Sequence, residues 1–176
     1  MVNIYEKEDY ESAYSSKMRI LRGFFISLAI VLAVTIAIFV YYVRLEYNTP
    51  LKNTLMIANI CISSIYAITM FFIFSIKYKR VASYVRMLND MKNGLSSEGV
   101  NAYVRTDSSV TVKDGVDFVS IVVLQWSEKK QEFFERNILF DIEKPLPAFK
   151  KGDVIRHITH ANILMAYELN SSAIFE

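Results

Sequence analysis

Two long apolar stretches dominate the first half of the chain. No charged residue lies between Gly23 and Val43, and none lies between Thr54 and Ile76. Because a helix rises about 1.5 Å per residue, each stretch is long enough to cross a bilayer core about 30 Å thick. The pattern therefore predicts two transmembrane helices, at about residues 23–43 and 54–76.

An amphipathic pattern follows the second stretch. Apolar residues recur there at helical spacing with charged residues on the opposite side, and Gly94 is placed to end the helix. The apolar positions are Val81, Tyr84, Val85, Leu88 and Met91. We expect this helix to dock on the domain that follows it. The membrane surface and a second copy of the chain are the alternatives.

From about residue 100 the apolar positions alternate with period two, which indicates β-strands. Asp114-Gly115 is typical of a tight turn. The stretch from Val116 to Trp126 is apolar on both faces, so it is predicted to be a central strand. The predicted strands are 100–105, 110–113, 116–126, 132–140, 154–158 and 163–169. Because no helix separates them, they predict a small antiparallel barrel or rolled sheet.

The predicted fold class is therefore membrane α+β, with an N-terminal two-helix transmembrane hairpin followed by a small antiparallel β-barrel or rolled-sheet domain. Its segments differ in polarity and periodicity. They are an N-terminal cytoplasmic leader (1–19), the transmembrane hairpin (20–78), a juxtamembrane amphipathic helix (79–95), the soluble β domain (96–170) and a C-terminal tail (171–176).

Lysine and arginine are unevenly distributed around the two apolar stretches. The loop between them, with turn chemistry at Asn48-Thr49-Pro50, holds only Arg44 and Lys52. The flanking segments hold more basic residues: Lys7, Lys17, Arg19 and Arg22 before the first stretch, and Lys77, Lys79, Arg80, Arg86 and Lys92 after the second. By the positive-inside rule both termini are expected on the cytoplasmic side of a plasma membrane.

Small and polar residues in the two stretches suggest how the helices meet. Ala29, Ala33 and Ala37 recur every four residues, and Ser63 with Ala67 offers a matching surface on the second helix. Contact within the hairpin is favoured over a dimer interface. Asn59, near the middle of the second stretch, is a candidate interaction residue: an interhelical hydrogen bond would satisfy it, and a polar path or another membrane subunit are alternatives.

Residues that could carry chemistry are few. The formal net charge is +2, and the single cysteine, Cys61, lies in the second apolar stretch. His157 and His160 are too few to hold zinc, and Asp141 with Glu143, alternating along an extended segment, lacks a third catalytic group. We therefore expect no enzymatic activity, no cofactor, no metal site and no nucleic-acid partner.

Aromatic residues concentrate in the predicted β domain. Trp126 ends the central strand and is predicted to close the core beside Phe133 or Phe140; an exposed partner contact is the alternative. Phe133 and Phe134 are consecutive, so they face opposite sides of a strand and one of them is expected at the surface. Trp126, Phe133 and Phe134 are the candidate interaction residues of the domain.

The segment Lys150-Lys151-Gly152-Asp153-Val154-Ile155 resembles the Lys-x-Gly-Asp-x-Val beginning of a strand in small bacterial β-barrel domains, with Ile155 in place of the final Val. Such domains include the soluble extensions of NfeD-like membrane proteins and of similar two-helix proteins. The resemblance implies a small barrel after the membrane helices. It implies no catalytic residues.

The pattern as a whole favours a non-enzymatic membrane-anchored module whose β domain binds a protein partner, or forms a homo-oligomer, at the inner face of a bacterial membrane. One alternative is a ligand-sensing effector, in which the β domain binds a small molecule such as a nucleotide and the hairpins oligomerise. That arrangement resembles some membrane effectors of bacterial defence systems. A second alternative, an accessory subunit of a transporter, depends on Asn59 alone.

Overall fold

The computed structural model describes residues 1–46, 49–113 and 115–169. The first residue of the turn predicted at Asn48-Thr49-Pro50, the first residue of the turn predicted at Asp114-Gly115, and the tail 171–176 lie outside the described residues. The chain forms two compact units: Ala13–Ala82, and a second unit that combines Met1–Ser12 with Ser83–Glu176.

Long helices account for the first unit. Helix α1 covers Lys7–Arg44, and α2 covers Pro50–Phe72, with Pro50 in the first helical turn, where its missing N–H is not needed. A π-helical turn, Ile73–Tyr78, joins α2 without a break to α3, Lys79–Asn93. The two predicted spans lie within these helices. Among the described residues, two helices are long and apolar enough to cross a membrane, judged by length and composition alone.

Bulky side chains, not small ones, fill the contact between α1 and α2. The rings of Phe24 and Phe74 meet edge to face with centroids 5.0 Å apart, and the Tyr66 hydroxyl lies 3.2 Å from Ser27 Oγ. The small residues predicted to form this contact, Ala29, Ala33, Ala37, Ser63 and Ala67, are all exposed. That prediction is wrong because the half-buried positions of the two helices carry other residues, among them Leu28, Val31 and Ile62 beside the aromatic ones.

The second unit is a closed five-stranded barrel with one additional short strand. Strands β2 to β6 cover Ser97–Lys113, Val116–Ser127, Glu132–Asp141, Val154–His160 and Ile163–Leu169. Their order is β2-β3-β4-β6-β5, closed by pairing of β5 with β2. The pairs are antiparallel except β4 with β6. Because β5 returns beside β2, next to the β2-β3-β4 meander, this is a Greek-key barrel, the plan that the OB-fold also uses.

One long strand replaces two predicted ones. The expected break near Asp107 lies inside β2, where the pairing with β3 shifts register between Asp107 and Thr111. A second shift falls between Tyr103 and Arg105. Such irregularities bend a strand and increase its twist, so the chain continues through the position that the sequence marked as a turn.

Strand β3 lies at the centre of the barrel wall. Ile121 and Val123 point into the interior core, and Phe118 and Val122, on the opposite face, are also buried. The predicted burial of both faces is therefore confirmed over this part of the strand. It ends at Leu124, which is exposed.

The first residues of the chain belong to the barrel unit. Strand β1, Val2–Asn3, pairs with β6, and Ile4 is a member of the interior core. Helix α1 then begins at Lys7, and its start is stabilised by Asp9 Oδ2, which accepts the Glu6 amide at 2.8 Å. The segment predicted as a leader, residues 1–19, is thus divided between a strand of the barrel sheet and the first turns of α1.

Helix α3 buries the predicted apolar stripe. Val85, Leu88 and Met91 are buried, and the helix ends at Asn93 with the Gly94 amide bonded to the Asp90 carbonyl at 2.7 Å. A Cβ on Gly94 would lie 2.2 Å from His160 Cε1 and 2.6 Å from the Asp90 carbonyl oxygen. Glycine is required here for lack of space.

Two phenylalanines of β4 provide a matched test of the core. Phe140 is 1% exposed and Phe133 is 56% exposed. We expect Phe140→Ala to lower the free energy of unfolding of the barrel by about 3 to 5 kcal/mol. Phe133→Ala should cost about 1 kcal/mol, the contribution of one exposed aromatic pair. Pulse proteolysis in mild detergent measures both; equal losses would contradict the placement of β4.

Candidate functional site

The end of the β3–β4 hairpin presents an exposed aromatic surface. Trp126 pairs with Phe133 across the two strands, and their ring centroids are 4.8 Å apart. Trp126 is 44% exposed and Phe134 is 42% exposed. Leu124, two residues before Trp126, lies on the same face because strand side chains alternate. We call these exposed residues at the end of the hairpin the aromatic end: Leu124, Trp126 and Phe133 lie on one face of it, and Phe134, which pairs with Gln125, lies on the other.

The structure corrects the prediction that Trp126 closes the core. Pairing of β3 with β2 ends at Leu124, whereas pairing with β4 continues to Ser127. Beyond Leu124 the hairpin is therefore a two-stranded ribbon that has no neighbour on the β2 side. The two-sided apolar pattern of β3 continues past the point where the barrel can cover it. Phe133 and Phe134 are both exposed, although the sequence predicted only one at the surface.

Two ion pairs lie beside the aromatic end. Arg105 makes a bidentate contact with Glu135, at 2.7 and 2.8 Å, and Lys130 lies 3.7 Å from Glu132. The guanidinium and carboxylate of the first pair stabilise each other's charged forms, so the pKa of Arg105 is raised and that of Glu135 is lowered. These two pairs compensate part of the charge beside the aromatic end, whereas the Arg136 guanidinium bonds to the neutral side chains of Gln125 and Asn162.

The two histidines judged from the sequence to be too few to hold zinc have separate roles. His157 is buried and its Nε2 accepts from Asn101 Nδ2 at 3.1 Å, whereas His160 Nδ1 lies 2.9 Å from the Leu95 carbonyl oxygen. Burial lowers the pKa of His157 to about 4, and the positive charge of Arg136 acts in the same direction. His157 is therefore neutral at pH 7, and its ring is buried in the barrel beside Asn101.

A buried carboxylate lies at the opposite end of the β3–β4 ladder from the aromatic end. Asp141, the last residue of β4, is 1% exposed and pairs with Phe118. Its Oδ2 accepts from the Tyr5 hydroxyl at 3.4 Å, its Oδ1 accepts from the Glu143 amide at 3.0 Å, and the Tyr84 hydroxyl also bonds to it. Burial, and then the Asp141 charge, raise the pKa of Tyr5 and of Tyr84 above the usual value of a phenol.

This arrangement differs from the paired carboxylates considered from sequence. Glu143 is exposed and lies in a turn, so it shares no strand face with Asp141. The two phenols were not singled out from sequence. Tyr84 was marked only as a member of an apolar stripe, and Tyr5 lies in a segment too short to show any periodicity.

An ion pair lies beside the buried carboxylate. Lys144 Nζ is 2.6 Å from Asp9 Oδ1 and 5.9 Å from the centre of the Tyr5 ring. Although partial burial opposes it, the Glu6 amide and the Lys144 ammonium together lower the pKa of Asp9. Asp9 thus caps α1 and fastens the start of that helix to the turn after β4.

Asn59 lies on the half-buried face of α2, and its Oδ1 is buried with no hydrogen-bond partner among the described residues. The interhelical hydrogen bonds expected of Asn59 are made instead by Tyr66, to Ser27 Oγ and to the Phe24 carbonyl. Within the described part of the chain, no group of three or more His, Cys, Asp or Glu residues is placed to hold a metal ion.

The neutral buried His157 predicts a pH-dependent stability. Because the folded state disfavours the proton, it binds fewer protons than the unfolded chain between about pH 4 and 6.5, and stability falls as the pH falls through that window. The full shift corresponds to up to about 3 kcal/mol. Urea unfolding in detergent, followed by fluorescence of Trp126, the only tryptophan, measures this slope.

The chain's second histidine supplies the control for this measurement. His157→Gln should reduce the slope between pH 4 and 6.5, and His160→Gln should retain it. An unchanged slope in the His157 variant would show that carboxylates alone cause the pH dependence.

Comparison with known proteins gives no further guide to these sites. No protein-family model, no curated protein and no solved structure matches this chain. The arrangement of the chain's own side chains is therefore the basis on which its function can be inferred.

Proposed function

We propose that this chain is a non-enzymatic, membrane-anchored binding or regulatory module, whose barrel binds a protein partner at the inner face of a bacterial plasma membrane. The observation that carries the proposal is the aromatic end, where Trp126, Phe133 and Phe134 remain exposed on an otherwise well-filled barrel. Tryptophan and other large aromatic residues are the ones most enriched at the energetic centres of protein interfaces.

The anchoring part of the proposal draws on the apolar surfaces of α1 and α2. Large side chains such as Phe25, Ile65 and Phe71 are more than half exposed along these helices. In water such a surface would associate or aggregate, whereas hydrocarbon tails cover it without cost. The lysine and arginine bias supports an orientation with both termini in the cytoplasm.

The charges around the aromatic end favour a protein over a nucleic acid. Phosphate binding needs unpaired cations that release counterions, and here Arg105 and Lys130 already have carboxylate partners. An apolar centre with a polar rim is the usual composition of a protein–protein interface.

The other two functions considered have less support. A ligand-sensing barrel needs an unfilled interior, and the interior here is occupied by Ile121, Ile138 and Phe140, each 1% exposed. The transporter subunit retains one supporting observation, the unpartnered Asn59 oxygen, but the two helices offer no intramembrane charge to form an ion path. The resemblance to NfeD-like proteins stays an expectation and agrees with two helices followed by a small barrel.

Site-specific photocrosslinking tests the binding surface. A photoreactive residue in place of Phe133 should crosslink the full chain to a discrete partner in intact cells, because Phe133 stands at the exposed centre of the aromatic end. The same residue at Val112, an exposed apolar position on β2, is the control and should give no such product.

Trp126→Ala provides the second part of this test. Combined with the probe at position 133, it should reduce the crosslinked product at least fivefold while the protein stays in the membrane fraction. Equal crosslinking at positions 133 and 112, or an unchanged yield after Trp126→Ala, would overturn the assignment of the aromatic end as the binding surface.

The orientation has its own test. A reporter enzyme fused after Glu176 should be active if it is of a cytoplasmic type, and inactive if it folds only outside the cytoplasm, because the basic residues flank the outer ends of the two spans. A matched fusion in the short loop after Arg44 should behave in the opposite way. Periplasmic activity of the C-terminal fusion would reverse the topology.

A further inference from the structure

The Asp141 carboxylate receives hydrogen bonds from two segments that are far apart in the chain. Tyr5 lies just before α1, and Tyr84 lies in the second turn of α3. The third donor, the Glu143 amide, belongs to the turn that follows β4. One buried side chain of the barrel is therefore shared by the N-terminal segment and by α3.

The position of Asp141 explains why it can serve both segments. Cross-strand neighbours share a face, so Asp141 lies on the same face as Phe118, opposite to the interior core residues Ile121 and Val123. It therefore stands on the outer wall of the barrel. Its side chain is nevertheless 1% exposed, and Tyr5 and Tyr84 lie beside it.

Each of the two segments continues directly into a long helix. Helix α1 runs without interruption from Lys7 to Arg44, and α3 is the last part of a continuous helical stretch, Pro50–Asn93. The N-terminal segment has two further contacts with the barrel unit, the pairing of β1 with β6 and the ion pair of Asp9 with Lys144. These contacts place both attachments of the barrel to the helices within reach of the same carboxylate.

We propose that Asp141 is a clamp residue that makes the docking of the N-terminal segment and the docking of α3 interdependent. A buried carboxylate is stable only when its oxygens are hydrogen-bonded. If one phenol withdraws, water reaches the carboxylate and competes for its oxygens, so the second phenol is held less firmly. Movement of either segment then weakens the docking of the other segment on the barrel.

The clamp adds a mechanism to the proposed regulatory role, and its use in the cell depends on that proposed role. A displacement of either helix would loosen the barrel wall on which β4 lies, and β4 also carries Phe133 and Phe134 at its other end. Conversely, a partner bound at the aromatic end would act on the strand that holds the clamp. The coupling within the chain can be measured without any partner.

Hydrogen–deuterium exchange of the full chain in detergent micelles tests the clamp. Tyr84→Phe removes one hydroxyl and keeps the ring, so the packing of α3 is retained. We expect it to raise exchange at least fivefold in the N-terminal segment, where the Ile4 amide donates to the Met165 carbonyl at 2.9 Å. Tyr5→Phe should raise exchange of the α3 amides in the same way.

The double variant distinguishes coupling between the two segments from two independent losses of a hydroxyl group. In Tyr5→Phe/Tyr84→Phe the logarithm of the exchange rate should rise by less than the sum of the two single effects, because both act on one carboxylate. Tyr103→Phe is the matched control, since its hydroxyl bonds to Thr106 Oγ1 at 2.8 Å, away from Asp141. It should leave both segments unchanged.

The outcomes are distinct. Exchange that rises only in the segment carrying the substitution, single effects that add fully, or an equal response to Tyr103→Phe would each overturn the clamp. Asp141→Asn should loosen both segments together; if that variant does not fold, the tyrosine variants still decide. Crosslinking at Phe133 does not enter this measurement, so failure of the clamp and failure of the proposed binding function are recognised separately.

Discussion

Closure of the barrel by β2 is the constraint on which the rest of the structure depends. The first part of β2 pairs with β5 and the remainder pairs with β3, so a single strand joins both ends of the sheet. Two register shifts allow it to bend between these partners. Once the sheet is closed, β3 becomes an interior member of the wall, its inner face fills the core, and its apolar outer face requires a cover.

The outer face of β3 is covered at one end and bare at the other. Near Phe118 the cover includes Tyr84 of α3, whose hydroxyl reaches Asp141. Near Trp126 the hairpin extends beyond the last residue of β3 that pairs with β2, and no described segment covers it. A buried polar cluster and an exposed aromatic surface therefore stand at the two ends of one pair of strands. The proposed clamp and the proposed binding surface are consequences of the same geometry.

Polar groups inside the second unit are placed according to what they can bond. Asp141 stays buried because two hydroxyls and an amide supply its oxygens, and His157 stays buried because it is neutral and accepts from Asn101. Two buried polar atoms among the described residues have no hydrogen-bond partner: Asn59 Oδ1 in α2, and His157 Nδ1, the second ring nitrogen of that histidine. Such groups cost free energy unless they are satisfied, so their positions are better guides to function than the apolar core around them.

The sequence by itself determined the local structure of this protein. Uncharged stretches and alternating apolar positions depend on near neighbours only, so the second long helix, α3 with its end at Gly94, and the strands from Val116 onward were predicted close to their observed bounds. The first long helix was predicted only over its apolar part, at about 23–43, and α1 begins earlier, at Lys7. The tertiary structure alone decided the pairing of Val2–Asn3 with β6, the continuity of β2, and which face of α1 meets α2. It also decided the candidate sites. Trp126 was expected in the core, and Asp141 was expected to share one face of an extended segment with Glu143. Both expectations failed because exposure depends on where a neighbouring strand ends and which distant segment lies above it, and neither is encoded in the periodicity of one segment.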